Sequence, residues 1–282
     1  MIFCRLVGGL GNQLHIFSAA LAMASNFDTP LYIDISLLKN EYVTKREYEL
    51  EPFVKILSQN YPIHLINLNG IKDIELKEYL TSRFKKRFDI WNDNELDPKL
   101  QLEQLKANSI VRGHFINFSW ADFAARVGFT HDLLHHIKLE LDRFFLPDQT
   151  NVHIRLGDYL RNRNIFPKIP KKYIYQSIKL CRTSNKIFTF TDDFQSLTYK
   201  YPRMILETDR FFTSAKHKPL ETLKMLSMGN SIITSNSTFS TWAAWFSKSE
   251  NIFTPVPHKF GKWEDYLPDR WRRFDSVSEE WI

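Results

Sequence analysis

The sequence predicts an α/β protein of two domains, each a parallel sheet wrapped by helices, facing each other across a cleft. Three observations lead there. The chain opens strand, glycine-rich loop, helix, in "MIFCRLV", "GGLGNQ" and "LHIFSAALAMASN". A second opening of that kind, "NVHIRLGDYL", starts at residue 151, on the heels of the polar, proline-bearing break "LPDQTN" at 146–151. Strand-like and helical patterns then alternate, the mark of a parallel sheet with helices on both faces. The break divides the chain into domains 1–147 and 148–282, and a chain of 282 residues is long enough for two cores of about 130 to 150 residues. Sheets of this kind bind ligands beyond the carboxyl ends of their strands, which is where the cleft is expected.

In the first domain "LYIDI" reads as the second strand, and "IHLINL" and "SIVRGHF" as further strands. Helical patterns fall near 97–107 and 131–144, while residues 36–60 have no clear period. In the second domain strands read at 152–156, 187–191, 204–206, 231–234 and 251–254. Helices read at about 171–182, 193–200, 219–228 and 238–247.

Composition narrows the function. The net charge of +6 and pI of about 9.1 suit an anionic partner, but the charge is spread along the chain. Its one local cluster, Arg83, Lys85, Lys86 and Arg87, reads as a solvated helix face, with contact to anionic lipid as the alternative; nucleic acid is the least favoured partner. Cys4 and Cys181 sit in apolar patterns and read as buried free thiols, which fits a reducing compartment. There is no apolar run of the ~18 residues a spanning helix needs and no signal-peptide pattern. The expectation is a cytoplasmic protein, with peripheral contact at the inner face of the cytoplasmic membrane as a variant.

Four stretches carry candidate chemistry. In "GGLGNQ" the glycines let the backbone approach a ligand, and the helix start offers unpaired N–H groups to an anion. Gly9, Gly11, Asn12 and Gln13 are therefore candidates, against a glycine turn that only reverses the chain. A dinucleotide fingerprint fits Gly9, Gly11 and Asp34 but fails at the third glycine, where Leu14 stands. In "NVHIRLGDYL", alternation puts Val152, Ile154 and Leu156 on one face and His153 and Arg155 on the other. Arg155 ends the strand with a planar fork of donors that matches phosphate. Asp158 behind it can brace a cation or accept a proton. In "FTDDF", Asp192 and Asp193 open a helix, either as caps or facing the cleft. In "SNSTFSTWAAW", Asn236, Ser237 and Thr238 converge with free backbone N–H groups at a helix start; Trp242 and Trp245 read as core. Neither an Asp-x-Asp triplet nor a His/Cys cluster suggests a metal.

Together the runs "GGLGNQL", "HIRLGDY", "FTDD" and "NSTFSTWAAW" resemble the inverting α-1,2-fucosyltransferases of glycosyltransferase family 11. The resemblance implies two Rossmann-like domains of the GT-B type, with the acceptor on 1–147 and GDP-fucose on 148–282. It implies transfer of L-fucose to the 2-hydroxyl of a terminal galactose, on an oligosaccharide or lipid-linked glycan, without a metal. It also implies a place in bacterial surface-glycan work such as O-antigen and lipopolysaccharide synthesis. Arg155 matches the arginine placed on the donor pyrophosphate. Asn236, Ser237, Thr238 and Phe239 match the motif near the phosphates and nucleoside, with His153 and Asp192 beside them. Glu221 falls where an acidic residue suits the guanine edge, and Asn12 and Gln13 match the loop at the sugar end. Three positions depart from the family pattern: Leu156 stands for a second arginine, His15 for an aromatic residue and Thr241 for a tryptophan. Arg155, and less firmly Asp158 as base, are the expected catalytic residues. Rival readings are a glycosyltransferase using another nucleotide sugar or linkage, and a non-catalytic nucleotide- or glycan-binding protein at the membrane surface.

Overall fold

The computed structural model describes residues 1–39, 46–68, 71–93, 97–139, 148–181, 186–257 and 267–282. Two compact units emerge, Met1–Leu133 and Leu134–Ile282. Residues 140–147 lie outside the described residues, among them the first two of the break read at 146–151; Gln149–Asn151 of that break already belong to a strand.

The first unit carries β1 (Ile2–Arg5), α1 (Leu10–Asn26), β2 (Leu31–Asp34), α2 (Glu51–Leu57), β3 (Ile63–Ile66), α3 (Asp73–Phe84), β4 (Asp89–Asn92), α4 (Pro98–Gln104), β5 (Ser109–Arg112) and α5 (Ser119–Ala124). Its five strands are parallel, in the order β3-β2-β1-β5-β4. The order reverses between β1 and β5, so the turn after β1 lies at a switch point. Helix α1 has no charged residue and is buried along almost its whole length, packed against α5. His15, the polar departure, is fully buried on α1 with its ring 5.1 Å from that of Phe118. The described residues of the unreadable stretch 36–60 hold a 3₁₀ turn at Ser36–Lys39 and the short α2; pieces this brief give no period to read. The basic cluster caps α3: Arg83 is in its last turn, Lys85 ends it at φ +52°, and all four cations are exposed.

A single helical turn, α6 (Leu133–His136), stands where a helix was expected at 131–144, of which 140–144 lie outside the described residues. The second unit then runs β6 (Gln149–Ile154), α7 (Gly157–Arg161), α8 (Lys171–Leu180), β7 (Lys186–Thr191), α9 (Phe194–Lys200), α10 (Pro202–Glu207), β8 (Arg210–Thr213), α11 (Pro219–Ser227), β9 (Ser231–Ile233), α12 (Thr238–Trp245), β10 (Asn251–Val256), β11 (Arg272–Asp275) and β12 (Glu280–Trp281). The sheet order is β12-β11-β10-β9-β6-β7-β8, parallel except for β12. Leaving β12 aside, this is the doubly wound order that binds nucleotides at the reversal, here between β6 and β9.

Two sequence expectations need correction. Residues 204–206 are helical, inside α10, and the third strand is β8. "MIL" is a three-residue apolar run, which periodicity cannot assign. Pro202 begins the helix, where its missing N–H costs nothing, and only Met204 of the run is buried. The strand expected at 152–156 starts earlier and stops at Ile154, so Arg155 and Leu156 belong to the turn that follows. Leu156 nevertheless joins the core of Val152, Ile154, Tyr173 and Ile233. Trp242 and Trp245 are buried, and both cysteines are free and buried. Among the described residues no helix is long and apolar enough to cross a membrane.

Candidate active site

At the reversal point of the second unit, β6 delivers His153, Arg155 and the Gly157 turn, and β9 delivers Ser235 to Phe239. Strand β6 is buried on both sides, so its polar His153 must be satisfied internally. Its Nδ1 shares a 2.6 Å hydrogen bond with Ser235 Oγ, and its ring lies 5.7 Å from that of Phe239. Burial, helped by the Arg155 charge, pulls the His153 pKa down to about 3. The ring is thus neutral near pH 7 and ties the two strand ends together.

Arg155 is a quarter exposed and fixed from two sides. One guanidinium nitrogen meets Asp158 Oδ1 at 2.8 Å and the other meets Asp192 Oδ2 at 3.1 Å. Its guanidinium also lies 5.5 Å from the centroid of the Tyr159 ring, within cation–π range. Asp192, just past β7, accepts with Oδ1 from the backbone N–H of Leu156 at 2.8 Å. Here the glycine of "LGD" leaves room for the Asp192 carboxylate. A Cβ on Gly157 would stand 2.4 Å from Asp192 Oδ2, a distance no real side chain tolerates. Asp192 is therefore both a brace for the turn and a partner for Arg155. Asp193, its neighbour, is the helix cap: it accepts from Ser196 N at 2.9 Å and Ser196 Oγ at 2.7 Å.

Ser237 is the N-cap residue of α12. The backbone N–H groups of Thr238, Phe239 and Ser240 therefore begin the helix without intrahelical acceptors and with the positive end of its dipole behind them. The turn before them is cross-braced. Ser240 Oγ accepts from Ser235 N at 3.2 Å, and Asn236 Nδ2 donates to Pro167 O at 2.8 Å. Tyr159 bonds Ser237, and burial pushes its hydroxyl pKa up to about 12. Thr241 sits inside the helix with its hydroxyl donating back to Thr238 O at 3.1 Å, so this departure is absorbed locally.

Glu221 lies in the first turn of α11, which follows β8, on the same carboxyl-end side of the sheet. Its Oε2 accepts from Lys218 N at 3.1 Å, the reciprocal half of a cap. In the first unit Gly8 adopts φ +75° with Asn12 packed over it, so a Cβ there would meet Asn12 Nδ2 at 2.6 Å. Gly9 caps α1, and Gly11 and Asn12 lie in its first turn. Gln13, expected to face a ligand, is fully buried. Its amide donates to Gly8 O at 3.0 Å and Glu47 O at 2.9 Å and accepts from Glu49 N at 3.1 Å. Asp34, the acid of the incomplete fingerprint, is equally committed, to Arg5 Nε at 2.8 Å, Ser36 and Leu68 N.

The structure thus unites His153, Arg155, Asp158, Asp192, Asn236, Ser237 and Phe239 in one unit. Sequence reading missed Tyr159 and the cations Arg163, Lys168 and Lys200, which line a cavity with Arg155. The run "RNRN" right after the turn was the available signal for one of them. What this arrangement can do is bind a diphosphate: a fixed guanidinium and a helix start follow the carboxyl ends of the central strands β6 and β9.

Residues 126–261 match the sequence model of glycosyl transferase family 11. The chain is 24% identical over 311 aligned residues to an alpha-1,2-colitosyltransferase of Escherichia coli, covering 100% of this chain and 98% of that protein. Among solved structures it is similar to the fucosyltransferase NodZ from Bradyrhizobium, with a TM-score of 0.50, 16% identity, and coverage of 87% of this chain and 93% of that one. It is also similar to NodZ alpha-1,6-fucosyltransferase co-crystallised with GDP, at a TM-score of 0.50, 15% identity, and coverage of 87% and 92%. The two NodZ structures share the fold with this chain.

Proposed function

We propose, from the match of residues 126–261 to the sequence model of glycosyl transferase family 11, that this chain transfers L-fucose from GDP-fucose to the 2-hydroxyl of a terminal galactose with inversion. The setting we assign is the synthesis of bacterial surface glycans, O-antigen or lipopolysaccharide, on the cytoplasmic side. The observation that carries this reading is Arg155, fixed by Asp158 and Asp192 and lining one cavity with Asn236, the residue before the N-cap of α12. Breaking the glycosidic bond leaves charge on the diphosphate and an oxocarbenium-like sugar. Arg155 and the helix N–H groups are aimed where that charge develops, and no metal is needed for it. His153, neutral, positions Ser235 and thereby the turn. Asp158 is held against Arg155, which supports a bracing role; the acceptor proton then goes to another group or leaves late in a dissociative path. Glu221 and Phe239 are assigned to the nucleoside end, and Gly9, Gly11 and Asn12 to the sugar end. Gln13 acts by holding that loop.

A second donor is favoured by one observation. The E. coli relative is named for colitose, a sugar that lacks the 3-hydroxyl of L-fucose. A site that hydrogen-bonds this hydroxyl rejects the deoxy sugar strongly, whereas a merely apolar one does not. Competition between GDP-fucose and GDP-colitose for transfer to one galactoside, with products separated by mass, decides between the donors. A chain that binds the donor but forms no GDP when an acceptor is added would instead support a binding protein.

A further inference from the structure

We infer that the cavity beside the Arg155 turn holds the terminal phosphate of the donor's diphosphate, and that Arg163, Lys168 and Lys200 supply the positive charge the turn lacks. This rests on the donor reading above and concerns how the site meets its charge requirement.

The turn is short of cations. Arg155 is one positive charge held between two carboxylates, Asp158 and Asp192, so the three side chains together are net negative. A nucleoside diphosphate leaving group brings more negative charge to this place. Position 156, where the family resemblance expects a second arginine, is a leucine that is 3% exposed and packed in the core. The positive charge must come from elsewhere.

The cavity walls provide it. Arg155 shares the lining with Arg163, Lys168 and Lys200, and no carboxylate among the described residues contributes to it. Arg163 and Lys168 come from the segment after α7, and Lys200 from the last turn of α9. None of these three is in an ion pair among the described residues. Leu156, Ile169 and Tyr201 add apolar surface, which lowers the local dielectric and strengthens each charge contact. Tyr159 stacks on Phe166 at 3.8 Å and 5° and forms a flat wall. The cavity measures about 90 Å³. That is well below the ~300 Å³ at which sites for whole small molecules begin, but it accommodates a single phosphate group. The geometry therefore makes it a subsite of a longer ligand.

The test is calorimetric binding of GDP and GMP to the full chain and to an Arg163→Ala/Lys168→Ala/Lys200→Ala variant, with the ligand-free melting temperature as the check on folding. GMP lacks the terminal phosphate. Wild type should prefer GDP, and in the variant that preference should fall at least about tenfold, the size expected for losing contacts to a charged group, with GMP affinity changed much less. A GDP-to-GMP ratio equal to that of wild type would overturn this inference alone. Wild type that binds no GDP would overturn it together with the donor reading. If the triple variant melts early, Lys200→Gln on its own, at a half-exposed helix end, gives the same comparison.

Discussion

Gly157→Ala is a one-carbon change with a large expected effect. The added Cβ would stand 2.4 Å from Asp192 Oδ2, so the carboxylate must move away. Asp192 then loses the 2.8 Å hydrogen bond from Leu156 N and its 3.1 Å contact with Arg155. A hydrogen bond to a charged group contributes about 1.5–3 kcal/mol. The contact with quarter-exposed Arg155 is solvent-screened and adds little. The expected destabilisation is about 2 kcal/mol, a fall in Tm of roughly 4–8 °C for a unit of this size. Arg155 keeps only Asp158, so fucosyl transfer should drop at least about tenfold as the guanidinium loses its fixed position. Differential scanning calorimetry and a GDP-release assay measure both effects. Asp192→Asn serves as the companion, because it keeps an acceptor for Leu156 N while removing the charge, and its Tm should fall less. If Gly157→Ala melts and turns over like wild type, Asp192 does not organise the turn and the reasoning fails.

Other outcomes follow from the same geometry. Arg155→Ala should stay folded and lose about 10²–10³ in rate, the typical cost of removing one donor to developing charge; a folded variant with near-normal transfer refutes the assignment. His153, with its pKa lowered to about 3, stays neutral in the fold while the unfolded chain takes up a proton below about pH 6.5. Stability should therefore decline as pH falls from 6.5 towards 3. Urea midpoints of His153→Asn should lack that part of the decline, and an identical pH slope would contradict it. Asp34→Ala should cost about 3–5 kcal/mol, because it leaves Arg5, only 7% exposed, without its charge partner. Unchanged urea unfolding would show that the pair is not structural. Cys4 is fully buried with its thiol pKa raised by burial, so thiol reagents should label it only on unfolding; rapid native labelling would contradict its placement.

Much of the fold was legible because both domains open with strand, glycine turn and helix, and the apolar runs at 187–191, 231–234 and 251–254 are long enough to mark strands. The run at 204–206 was too short to tell from a helical turn, and Pro202 was the better guide. Alternation put Leu156 in the core correctly but carried the strand two residues too far, because a turn residue can bury its side chain without pairing. The site was legible as far as Arg155 and the start of α12. Three other features were not. Gly157 is explained only by Asp192, 35 residues away in the sequence, and that proximity comes from β6 pairing with β7. The commitment of Gln13 to Glu47 and Glu49 depends on a stretch with no period. Arg163, Lys168 and Lys200 look like ordinary surface cations until the cavity joins them to Arg155.

The most direct measurement is incubation of the purified chain with GDP-fucose and a panel of galactosides, with the product linkage read by NMR. The account predicts an α-1,2-linked fucosyl galactoside, formed without added metal and lost in Arg155→Ala. A folded protein that leaves GDP-fucose untouched but transfers a sugar from a UDP or CMP donor, or that makes another linkage, contradicts it.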